Sequence, residues 1–227
     1  MRVKGIKMEE ILSVSIDKFL EENFFFDFGD PVVAEKTNSI INGCKNEREK
    51  AVKLFNFVRD EITYTMYTGF FPEKNYKASV ILKRRKGFCI QKAILLVAML
   101  RCAGIPSAIA FADIVNYKIP EDALEFLGTN YFSYHGFVVL NLNGKWIKVT
   151  PTFDKNTCLK AGYPILDFDG ENDVIFPEYL ENGEKFIEYK KHHGIYFEVP
   201  FQEIIESWKE IYGEERLNLW IKESEKF

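Results

Sequence analysis

Residues 87–106, G-F-C-I-Q-K-A-I-L-L-V-A-M-L-R-C-A-G-I-P, restrict the fold more than any other stretch of the chain. Ala93, Leu96, Val97 and Leu100 recur at helical spacing, and Ile94, Leu95 and Met99 fill the other sides. A helix apolar nearly all round has no face to give to water, so other elements must wrap it. Gly104 and Pro106 supply its stop, and Cys89 stands at its start, behind Gly87. The first turn of a helix leaves N–H groups unpaired and carries a partial positive charge. A thiol in that place tends toward a lowered pKa, so Cys89 is predicted to be the most acidic thiol of the protein. The plainer alternative makes Cys89 a small hydrophobe in a core.

The chain has 227 residues, enough for a substantial core, and no Gly-, Ser- or Pro-rich linker divides it. It is read as a single domain over residues 1–227. A net charge of -4 argues against nucleic acid as a partner, and the basic run Lys83 to Lys86 reads as a solvated face. The cysteines at 44, 89, 102 and 158 show no C-x-x-C pair and no metal-ligand spacing, so no structural zinc is expected. Scattered single cysteines suit a reducing compartment, and the expected location is the cytoplasm. Acids follow the basic start M-R-V-K before any apolar run, and Phe24-Phe25-Phe26 is too short to cross a membrane. The acids at 167, 169, 171 and 173 raise the question of calcium, but Gly170 is misplaced for a calcium loop. No metal and no cofactor are expected.

Met8 to Glu22 reads as a helix with Ile11, Leu12, Ile16, Phe19 and Leu20 on one side. A stronger one follows Asn46, an N-cap with Glu49 three positions on and a stripe of Ala51, Leu54, Phe55, Val58 and Ile62. A short extended piece is expected at 62–66, and one or two helical turns at 78–82. Past Pro106 the pattern turns to strand over 107–115, then to a loop with a helical turn over 117–130. Asn143-Gly144 between two apolar runs signals a hairpin on a type I′ turn, pairing Leu142 with Lys145, Leu140 with Ile147 and Val138 with Val149. Residues 155–196 read as irregular, and Ile204, Ile205, Trp208, Ile211 and Tyr212 mark a C-terminal helix. The fold class is α+β: N-terminal helices and a buried helix carrying the cysteine, packed on an antiparallel sheet.

A cysteine nucleophile needs a base, and the chain holds three histidines, at 135, 192 and 193. His135 opens the first strand of the hairpin and is the best placed. A third group usually fixes the imidazole, and Thr150 and Asp154 follow the return strand. The alternative for His135 is a histidine at the edge of a sheet, satisfied by backbone.

In order and spacing these motifs resemble the transglutaminase-like superfamily of papain-fold cysteine enzymes. The resemblance rests on Gly87 and Cys89, on Arg101 with Gly104, Ile105 and Pro106, and on His135. Asn143-Gly144, Lys145-Trp146, Thr150-Pro151-Thr152 and the upstream segment Arg59 to Tyr64 complete it, and it spans residues 48–154. It implies a papain-like core and a Cys-His thioester mechanism on a peptide or protein amide, with Cys89 as nucleophile and His135 as base. For an intracellular domain without a calcium loop, hydrolysis is expected over cross-linking. Two positions depart from the family pattern: Phe137 replaces a Trp, and Thr150 replaces the catalytic Asp. Asp154, four residues on and past the Pro151 bend, is expected to supply the missing charge. Thr150 also leaves open a binding module that keeps the fold and has lost the chemistry.

Overall fold

The computed structural model describes residues 5–67 and 69–224. The basic start M-R-V-K, and with it the ends of the expected 1–227 domain, lie outside the described residues. Helices α1 (Pro31–Ile41), α2 (Glu47–Glu61) and α3 (Ala78–Arg84) surround one side of α4 (Cys89–Cys102). Local chemistry starts the first two. The Asp30 carboxylate accepts from the Val32 N–H with Pro31 already set for a helix, and the Asn46 side chain accepts from the Glu49 N–H at 2.9 Å. The predicted stripe of α2 is buried at Ala51, Leu54, Phe55 and Val58. Every α4 residue from Ile90 to Arg101 is buried, as a helix without a polar face requires.

Strands β1 (Thr63–Tyr64) and β2 (Lys86–Gly87) pair in parallel and bring Tyr64 beside the start of α4. The main sheet is antiparallel, with β3 (Ser107–Asn116), β4 (Tyr131–Leu142), β5 (Lys145–Val149) and β6 (Ile187–Tyr196) in the order β5-β4-β3-β6. The β4–β5 hairpin has the predicted register at all three pairs, and Asn143 and Gly144 both take positive φ, 53° and 83°, as a type I′ turn demands. Val138, Leu140, Ile147 and Val149 pack with α4 in the main core. The opposite face holds Ala108, Ala110, Ala112, Phe137 and Val139, covered by Ile11 and Phe19 from the N-terminal segment. Helices α5 (Glu121–Leu127), α6 (Lys155–Ala161), α7 (Phe201–Tyr212) and α8 (Glu214–Ser224) close the ends.

Two expectations need correction. The continuous helix over 8–22 is instead a pair of 3-10 turns, Met8–Ser13 and Ile16–Phe19. Ile11 and Phe19 are buried there while Leu12 is 81% exposed, so the stripe has no continuous surface to pack on. The irregular stretch 155–196 contains α6 and β6. β6 escapes sequence reading because it is an edge strand with exposed lysines and two register shifts against β3, which erase the period of two.

Candidate active site

Cys89 is the first residue of α4, and Phe88 ahead of it is extended. β4 touches this end of the helix through Gly136. A Cβ at that position would sit 3.0 Å from the Ile90 Cα, a contact few side chains make, so glycine eases this approach. The backbone N–H groups of Gly136, Ile90 and Cys89 itself are directed at the thiol. His135 is the residue before Gly136, and it lines the same cavities as Cys89.

Cys89 and His135 line one cavity of about 190 Å³, walled by Tyr64, Tyr67, Phe132, Phe153 and Tyr163. They also line a smaller one of about 50 Å³ among Phe70, Phe88, Trp208 and Trp220. The pair therefore stands between two aromatic chambers, each sized for a side chain.

Burial dominates the electrostatics. It pushes the Cys89 thiol up to about 11, with the three backbone donors pulling the other way. The residue keeps some exposure, but the enclosure of its thiol outweighs the helix end, so the expected acidic thiol is not found. Burial likewise pushes His135 down to about 3. At neutral pH the resting pair is thus a neutral thiol and a neutral imidazole. His135 Nε2 is buried with no hydrogen-bond partner among the described residues.

Asp154 and His135 are not brought together by hydrogen bonding. The Asp154 carboxylate caps α6, accepting from the Thr157 N–H and hydroxyl, both at 2.9 Å, and it accepts from the Tyr64 N–H at 2.8 Å. These donors hold it below the usual carboxylate range, against its burial. Lys92, one turn past Cys89, donates to the carbonyls of Arg59 (2.9 Å) and Ile62 (2.5 Å), and burial lowers its pKa to about 7. Thr150 is buried beyond β5, and its hydroxyl also lacks an aligned partner. His192 and His193 line a different cavity, with Ile6, Phe137 and Val139, and His193 Nε2 meets Asp113 at 2.7 Å.

Sequence reading missed the tyrosine wall, Gly136, Lys92 and Tyr189, whose ring centroid is 6.2 Å from that of His135. Only Gly136 carried a signal, as a glycine inside a strand beside the candidate base.

The sequence profile of the transglutaminase-like superfamily matches residues 34–151. No curated protein matches the chain. A solved structure from Cytophaga hutchinsonii, provisionally named a cysteine protease, is similar at 14% identity and a TM-score of 0.49, covering 83% of this chain and 67% of that one. Another, from Parabacteroides distasonis ATCC 8503 and provisionally named a protease, is similar at 20% identity and a TM-score of 0.38. There the match covers 59% of this chain and 24% of that one.

Proposed function

The chain belongs to the transglutaminase-like superfamily, and from that membership we propose that it is a cysteine enzyme acting on peptide or protein amides, a hydrolase rather than a cross-linker. The observation that carries this reading is the shared cavity of Cys89 and His135, on a helix start and a strand that meet closely at Gly136. Because both groups rest neutral, no thiolate is stored in advance. As Cys89 Sγ attacks the amide carbonyl carbon, its proton passes to His135, and the carbonyl electrons move onto oxygen. Backbone N–H groups at the start of α4 are positioned to receive that oxyanion. His135 then protonates the leaving nitrogen, the C–N bond breaks, and a thioester remains on Cys89. Water, deprotonated by His135, returns the free thiol and a carboxylic acid.

In this proposal Asp154 serves the site through Tyr64 rather than through the imidazole. By capping α6 and holding the Tyr64 N–H, it fixes a wall of the cavity.

Thr150, a neutral group where the family places its carboxylate, favours a second reading, a binding module with the same cavity and no turnover. A peptide-amide library incubated with the protein and read by mass separates the two. Cleavage or deamidation that disappears in Cys89→Ala supports the enzyme. Retention of particular peptides with no mass change supports the module.

A further inference from the structure

Seven buried side-chain polar atoms lack a hydrogen-bond partner among the described residues, and four of them are His135 Nε2, Thr150 Oγ1, Thr152 Oγ1 and Tyr189 Oη. Such atoms are normally paired, so a cluster of them beside a candidate base asks for a reason. They come from three strands or strand ends. His135 is on β4, Thr150 and Thr152 follow β5, and Tyr189 is on β6 at the opposite edge of the sheet. Tyr189 bridges that separation because the strand between, β3, presents alanines on this face, Ala108, Ala110 and Ala112. Across them the Tyr189 ring reaches His135 at 6.2 Å and Phe137 at 6.4 Å between centroids. Its hydroxyl lies against the Thr150 hydroxyl and a backbone donor at Phe176. Both oppose the rise in its pKa that burial causes, although neither hydroxyl is aligned for a formal hydrogen bond.

We propose that Tyr189, paired with Thr150, is the positioning residue of His135 and takes the place of the carboxylate that the chain lacks at residue 150. This rests on the Cys-His reading above. To accept the Cys89 proton, neutral His135 must offer a bare Nδ1 toward the cavity, and its own proton must then sit on Nε2. An Nε2–H in a dry recess needs an acceptor. The Tyr189–Thr150 hydroxyl pair, buried like Nε2 and on the same face, is an acceptor of the right kind, neutral and rotatable. It selects the tautomer without adding charge, which matches an imidazole that rests neutral. When Cys89 gives up its proton, the imidazolium formed keeps its Nε2–H on the same hydroxyls.

The test uses the full chain and needs no known substrate. ¹⁵N NMR of the His135 imidazole reads the tautomer, and the rate of Cys89 alkylation by iodoacetamide reads its action as a base. The wild type should hold its proton on Nε2. Tyr189→Phe, which keeps the ring and its packing, should mix the tautomers and slow alkylation on the order of tenfold. Thr150→Val should have the same sign, and Thr150→Asp in the Tyr189→Phe background should restore the Nε2–H form and the rate. An unchanged tautomer and rate in Tyr189→Phe overturn the proposal, as does a failure of Thr150→Asp to rescue. Absence of amide turnover in a wild type whose tautomer does depend on Tyr189 would instead remove the enzyme reading and leave this inference standing.

Discussion

Two buried polar groups sit almost side by side where β3 and β4 lose register, and they are treated oppositely. Asp113 is saturated. Its carboxylate accepts from the Tyr134 N–H at 3.0 Å and the Tyr131 hydroxyl at 2.8 Å, and it meets His193 Nε2 at 2.7 Å. These partners draw its pKa down to about 2, against its burial. His135, opposite Ala112 in the register, has a buried nitrogen with no hydrogen-bond partner among the described residues. A saturated network fixes geometry and has no capacity left for chemistry. An unsatisfied one costs stability, and its retention at a cavity is the mark of a working group. The two are linked, since the Asp113 bond to Tyr134, a non-glycine residue at φ 57°, holds the backbone step just before His135.

Removing the working group should have the largest effect. Cys89→Ala and His135→Ala should each lower amide turnover about 10⁶-fold, as losing one member of a nucleophile–base unit does elsewhere, while the urea midpoint moves little. Comparable turnover in His135→Ala would break the contrast at once. Asp113→Ala should act the other way round. It strands His193 and the Tyr134 N–H, and should cost about 3–5 kcal/mol in urea unfolding. A loss under about 1 kcal/mol would mean that the network is not the scaffold of the bulge. Asp154→Ala should lose a helix cap, about 1–2 kcal/mol, with turnover reduced only as far as Tyr64 becomes loose. A collapse of turnover at unchanged stability would instead return Asp154 to the imidazole.

A last effect is a slope with pH. His135 titrates at about 3 in the fold against an ordinary 6.5. Between those values the unfolded chain holds the extra proton, so stability rises with pH through that window. It is lost as pH falls, by at most about 1.4 kcal/mol per pH unit for one proton. His135→Gln should flatten that part of the curve. An identical slope in the variant would place the responsible group elsewhere.

What the sequence carried follows from what was local. The α4 run, the Asn46 cap and the Asn143-Gly144 turn each fix their own conformation, and the hairpin register followed from the turn alone. Cys89 and His135 could be proposed as a pair because each begins or belongs to such an element. The role expected of Asp154 came from spacing, which does not show that its carboxylate meets the orphan N–H of Thr157, three residues on. Tyr189 was out of reach. It lies on an edge strand whose two register shifts destroy its period, and only the folded sheet shows its ring beside those of His135 and Phe137. The thiol pKa was misjudged for a related reason, because a helix end is visible in sequence and the depth of burial around it is not.

In the proposed mechanism Cys89 and His135 carry the covalent chemistry while Asp113 only holds the strand in place. Acid-quenching the protein during incubation with blocked peptide amides, then mapping adducts by mass, tests this most directly. A hydroxylamine-labile acyl group on Cys89, lost in His135→Ala and retained in Asp113→Asn, is the result predicted. An adduct that survives His135→Ala, or that vanishes in a folded Asp113→Asn, would contradict it.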